Sequence, residues 1–172
     1  EKPGPVLLEL PEDIAEEAAE VVDLILPGER HYAVAGNKVI NAAANAIKGA
    51  KRPLVLIGAG ANRKEARRAI SEFIGMIGLP FCNTQMGTGV VDESSSYFLG
   101  TAALSDKDYL HDYIKLADLI VNIGHDVVEK PPFFMEHGGA EVIHINYKSA
   151  QVDQVYFPQI EVVGDIALSV DA

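Results

Sequence analysis

A chain of 172 residues with 48% hydrophobic side chains is long enough to bury a core and falls within the roughly 100 to 200 residues of one domain. Its 25 acidic against 14 basic side chains leave a formal charge of −11, which repels phosphate backbones and anionic bilayers and argues against nucleic acid and membrane as partners. The single cysteine, Cys82, excludes an internal disulfide framework and a multi-cysteine zinc site and fits a cytoplasmic origin, and no apolar run reaches the roughly 20 residues that span a bilayer.

Pro5 to Leu10 reads as a short buried strand, and Pro11-Glu12-Asp13 opens an acidic helical stretch through Val22, whose carboxylates suit a helix start and a solvated face. A linker is expected from Pro27 to Ala35, where Pro, Gly, Arg, His and Tyr follow no period. Val39, Ile40, Ala43, Ala46 and Ile47 then recur at helical spacing until Gly49. Pro53 to Ile57 is a continuous apolar run, the mark of a strand buried on both faces. It stops at Gly58-Ala59-Gly60, before a helix expected from about Arg63 to Ile77. Further strands are expected at Pro80 to Asn83, Tyr97 to Leu99, Leu119 to Ile123, Val142 to Ile145 and Ile160 to Val163, with a helix from about Lys107 to Ala117. This alternation predicts an α/β fold with a doubly wound parallel sheet.

The strand ends carry the local signals. Gly58-Ala59-Gly60 could let a backbone approach a phosphate at the first strand-to-helix turn, or could only make a tight turn. Arg63 stands where the dinucleotide fingerprint has its third glycine. Met86-Gly87-Thr88-Gly89, Gly100-Thr101 and Gly124-His125-Asp126 follow other strands, so that together these loops outline one crevice. His125 beside Asp126 invites a general-base reading, but no serine elbow or metal-ligand spacing accompanies it. His144 alternates with Ile143 and Ile145 and reads as a hydrogen-bonded structural residue.

Lys2-Pro3-Gly4-Pro5-Val6-Leu7-Leu8-Glu9-Leu10-Pro11-Glu12-Asp13 resembles the end of the pyrimidine-binding domain of thiamine diphosphate-dependent enzymes of the acetolactate synthase type. Pro53 to Gly60, Ala117 to Gly124, Val142 to Asn146 and Val162 to Ile166 follow in the order found across that family's central domain. The resemblance implies a Rossmann-like, six-stranded parallel sheet with helices on both faces over residues 35–172, preceded by a remnant of the neighbouring domain and linker over 1–34. Together with the missing initiator Met, this predicts a piece cut from a longer polypeptide. The resemblance also implies that several members hold the ADP half of FAD here, with Gly58, Ala59, Gly60, Thr84, Gln85, Met86, Leu99, Gly100, Gly124, Asn146 and Asp165 as the contacts carried over by position. Two departures weigh against FAD. Biosynthetic members have an arginine and an R-F-D-D-R-like stretch after the glycine matching Gly124, whereas this chain has His125-Asp126-Val127-Val128-Glu129-Lys130-Pro131, closer to the FAD-independent catabolic enzymes. Asn146 stands where an Asp is usual.

Thiamine diphosphate and Mg2+ are expected in the parent enzyme, held by flanking catalytic domains of a homodimer or homotetramer. The family's activating glutamate lies in the domain before this one and its G-D-G motif in the domain after it, and no Gly-Asp-Gly triplet occurs here. The activity implied is condensation of two pyruvates to 2-acetolactate with loss of CO2, with no catalytic residue in this piece. The competing expectation is a self-standing FAD- or NAD-binding subunit without catalytic partner domains.

Overall fold

The computed structural model describes residues 5–18, 20, 26, 28, 31–102, 109–125, 129 and 135–172. Six strands, β1 (Pro53–Ile57), β2 (Phe81–Asn83), β3 (Phe98–Thr101), β4 (Leu119–Ile123), β5 (Glu141–Asn146) and β6 (Ile160–Val163), form one sheet in the order β3-β2-β1-β4-β5-β6. Every pairing is parallel. The chain therefore winds outward twice from β1, leaving a topological switch point between β1 and β4 at their carboxyl ends.

The helices are α1 (Glu12–Ala15), α2 (Asn37–Gly49), α3 (Lys64–Ile77), α4 (Tyr109–Ile114) and α5 (Ile166–Asp171). Alternation within each strand sends its side chains to two cores. Val55, Ile57, Val121, Ile123, Ile143 and Ile145 share one buried cluster with Ala43 of α2, Ile70 and Ile74 of α3 and Ile166 of α5. Leu54, Leu56, Cys82, Ile120 and Val142 share the other with Leu110 and Ile114 of α4. Helices thus cover both faces, and the expected α/β, doubly wound, six-stranded arrangement holds. Apolar material on both sides explains why β1 reads as an unbroken apolar run.

Local chemistry sets the element ends. In α3, Ala66, Ala69, Ile70 and Ile74 are buried at helical spacing, and Gly78 closes the helix in the left-handed region (φ 71°), donating its N–H to Ile74 O at 2.8 Å. At the opposite end of the sheet from the switch point, the Asp118 carboxylate accepts from the backbone N–H groups of Lys51 and Arg52, both at 2.8 Å, tying the entry of β1 to that of β4. The α5 helix is an element the sequence reading missed. Its cap is Asp165, whose Oδ1 accepts from Leu168 N at 3.0 Å.

Two expectations fail near the start. Residues 5–10 form no strand, and Val6, Leu7 and Leu8 are 93%, 91% and 90% exposed. An apolar run becomes a strand only by pairing, and every ladder of the sheet runs between other segments. The helix begins at Glu12 as expected but ends at Ala15, with Glu16 as its C-cap; residues 21–25 lie outside the described residues. Among the described residues, Ala35 is the first to enter the core, just after Ala33 O accepts from Asp165 N at 2.7 Å.

Candidate functional site

The carboxyl ends of β1, β2, β4 and β5 converge on the switch point, and their first residues carry most of the positions singled out from sequence. Gly58 N donates to Ile123 O (2.8 Å) and Gly60 N to Gly124 O (2.7 Å), so that the two loops flanking the switch point are stitched backbone to backbone. No side chain fits between them. A Cβ on Gly60 would stand 2.9 Å from Gly124 O, and one on Gly58 would stand 2.6 Å from His125 Cα. Gly124 also takes φ 70° while donating to Ile145 O at 2.9 Å, a conformation that L side chains rarely adopt. Glycine is required at these positions by contacts within the chain.

Glu129 stands in the mouth of the first turn. Both of its carboxylate oxygens lie 3.3 Å from Ala59 N, which donates to them, and Oε1 also accepts from the Thr84 hydroxyl. That hydroxyl in turn accepts from Gly87 N at 3.1 Å, and its single proton goes to Glu129, whose carboxylate can only accept. The Glu129 Oε2 atom lies 2.7 Å from where a Cβ on Gly58 would be. Only 7% of Glu129 is exposed. A carboxylate of the chain therefore occupies the place where the first strand-to-helix turn of a dinucleotide fold receives a phosphate.

Beyond Gly60 and Gly124 lies a pocket of about 190 Å3, lined also by His125, His144, Asn146, Lys148 and Tyr156. Asn146 donates from Nδ2 to His125 O (2.8 Å) and accepts at Oδ1 from Tyr147 N (2.8 Å). Beneath the pocket, Asn122 and His144 face each other in register on β4 and β5. His144 Nε2 lies 2.9 Å from Lys148 O, which can only accept, so Nε2 carries the proton and Nδ1 is the acceptor. Tyr156 then donates its O–H to Nδ1 at 2.6 Å and accepts from Asn122 Nδ2 at 2.9 Å. Burial holds His144 below its ordinary imidazole range, consistent with this neutral tautomer, and raises the Tyr156 phenol. The structural role expected of His144 is thus what the geometry gives.

Of the eleven positions carried over by resemblance, Gly58, Ala59 and Thr84 meet at the Glu129 seat, and Gly60, Gly124 and Asn146 line the adjoining pocket. Gln85 and Met86 lie on the 3-10 turn after β2, exposed, with Met86 O accepting from Asn62 Nδ2 at 3.2 Å. Leu99 and Gly100 lie in edge strand β3, with β2 between them and β1, and Asp165 caps α5 beyond β6. The latter three stand apart from the switch point. His125 is buried beside the Tyr156 ring, with centroids 5.8 Å apart; Asp126, its partner in the general-base reading, lies outside the described residues. Sequence reasoning quoted Glu129 only within a variant loop and passed over Tyr156. No motif marks Tyr156, and Glu129 reaches Ala59 and Thr84 from a loop distant in sequence.

Among the described residues, no three His, Cys, Asp or Glu side chains are grouped to hold a metal ion, and no helix is long and apolar enough to cross a membrane. Comparison with known proteins adds the lineage. A catabolic acetolactate synthase of Raoultella terrigena is 31% identical over 99% of this chain and 31% of its own length. An acetolactate synthase large subunit of Pyropia yezoensis is 29% identical over 96% of this chain and 29% of its own length, and an acetolactate synthase of Bacillus subtilis is 28% identical over 98% and 30%. In structure, a candidate thiamin diphosphate-dependent enzyme from Mycobacterium smegmatis superposes with a TM-score of 0.69 at 17% identity, over 88% of this chain and 30% of the other. The chain thus spans about 30% of the length of these relatives. The family model for the thiamine pyrophosphate enzyme central domain matches residues 40–172, from within α2 through the last helix, and the chain belongs to that family.

Proposed function

We propose that this chain is the scaffold domain of an enzyme that condenses two pyruvates into 2-acetolactate with release of CO2, and that it carries no catalytic residue of its own. The observation that carries the proposal is the match to acetolactate synthases over 96% to 99% of this chain and 29% to 31% of theirs. In this reading residues 35–172 are the domain and 1–34 belong to the preceding domain and its linker. Ala35, the first buried residue among those described, and the family match from residue 40 support that boundary.

Thiamine diphosphate and Mg2+ are assigned to flanking domains of the same polypeptide, in a homodimer or homotetramer located in the cytoplasm. When bound, the cofactor supplies the electron sink for decarboxylation. This chain's part is mechanical: the backbone stitches at Gly58 and Gly60 and the Asp118 clamp fix the two ends of β1 against β4, holding rigid the crevice wall that faces the catalytic parts. Of the eleven positions named from resemblance, Gly58, Ala59, Gly60, Thr84, Gly124 and Asn146 are proposed as the frame of this crevice. FAD does not fit the frame as it stands, because the phosphate seat holds Glu129. That same occupancy weighs against a self-standing FAD- or NAD-binding subunit.

The test is the full-length polypeptide with thiamine diphosphate, Mg2+ and pyruvate, following CO2 release and 2-acetolactate. One CO2 released per 2-acetolactate formed is the expected result. A folded, cofactor-loaded protein that turns over no pyruvate overturns the proposal, and activity on a different 2-oxo acid would leave the scaffold role while replacing the substrate.

A further inference from the structure

We propose that Glu129 is a built-in substitute for a phosphate group, and that its side chain fills the seat in the β1 turn where a phosphate of a nucleoside diphosphate would otherwise bind. The seat has the donors that a phosphate oxygen needs: the Ala59 N–H at the end of β1 and the Thr84 hydroxyl at the end of β2, aimed at one point. The Thr84 hydroxyl donates toward Glu129, since a carboxylate oxygen can only accept, while its own oxygen accepts from Gly87 N. Gly58 leaves the space, and Glu129 Oε2 lies 2.7 Å from the position of the absent Cβ. Such a seat is built for an anion and filled by one from the same chain. A tethered carboxylate is present at a high effective concentration, so a free phosphate in millimolar amounts does not displace it. Taking Glu129 away leaves two oriented donors, the part-buried Ala59 N–H and the buried Thr84 hydroxyl, without this acceptor, which is costly unless water or an anion replaces it. The inference concerns this turn only and stands whatever reaction the flanking domains perform.

The experiment compares the unmodified full-length protein with E129A, E129Q and E129A/T84V, in equilibrium dialysis against inorganic phosphate and ADP. Thiamine diphosphate and Mg2+ are kept in excess to occupy any other diphosphate site. E129A is expected to bind both anions about tenfold tighter than the unmodified protein, the worth of roughly one charge-assisted hydrogen bond. E129Q, which still fills the seat and offers an acceptor oxygen to Thr84, gains nothing, and T84V removes the gain from E129A. A folded E129A without the gain overturns the proposal, and so does a gain that survives T84V. Should E129A fail to fold, hydrogen exchange of the peptide containing Ala59 in the unmodified protein decides. Protection that phosphate leaves unchanged supports a filled seat, whereas protection that rises saturably with phosphate overturns it.

Discussion

The Cys82 thiol lies in β2 with no exposed surface, and burial pushes its pKa up to about 12. Thiolate is the reactive form, so Cys82 is expected to resist a thiol reagent such as DTNB in the folded protein and to react stoichiometrically once denaturant is added. The chain from Asn122 through Tyr156 to His144 carries a second prediction. Tyr156→Phe leaves Asn122 Nδ2 without its acceptor and His144 Nδ1 without its donor, and is expected to destabilise the protein by about 1–3 kcal/mol in chemical denaturation. The pH dependence has a definite sign. His144 is held below its ordinary value of 6.5, so the folded state favours the neutral ring; its contribution is full above that value and is lost as pH falls from there toward the folded pKa. His144→Gln is expected to flatten stability against pH in that window. The alternation Ile143-His144-Ile145 made the histidine's role legible, whereas Tyr156 was not legible, because only the folded loop brings it under β4 and β5.

Strands and helices follow the sequence closely where burial on both faces or a helical apolar stripe leaves one option. The expected α2 matches Asn37–Gly49, the expected β1 matches Pro53–Ile57, and α3 starts one residue later than expected. What failed did so for lack of partners. Residues 5–10 have strand composition but no neighbouring strand, and composition cannot supply one. The α5 helix was missed because six residues give too little periodicity, although Asp165 before an apolar run was a capping signal. Asp165→Ala is expected to lower stability by about 1 kcal/mol. At the other end of the sheet, the backbone N–H groups of Arg52 and Lys51 hold the Asp118 carboxyl below its ordinary value of 3.8. That contribution is present above pH 3.8 and disappears as acid protonates the group through its folded pKa. Asp118→Asn is expected to reduce the steepness of acid unfolding, measured by circular dichroism.

For the molecule as a whole, a doubly wound, six-stranded parallel sheet was legible from alternation and resemblance together, but the state of the crevice was not. A glycine-rich turn looks the same in sequence whether its open space faces a ligand or another loop; here the space at Gly58 and Gly60 is taken by His125, Glu129 and Gly124. Gly124→Ala is expected to destabilise by about 1–3 kcal/mol, since it meets both positive φ and the Gly60 backbone. The loops on either side of the switch point are thus held to each other by the chain's own atoms.

The facing pair Asn122 and His144 has a further consequence for how the chain reaches this state. Parallel strands rich in valine and isoleucine are nearly interchangeable under a shift of register, yet a slip of β5 by one residue against β4 would turn His144 toward the apolar cluster of α2, α3 and α5. The misaligned sheet would bury an imidazole among alkyl groups and strand Tyr156 and Asn122 without their partner. Three polar side chains thus act as a key that rejects misfolded alignments, giving specificity to a pairing that hydrophobicity alone would leave degenerate.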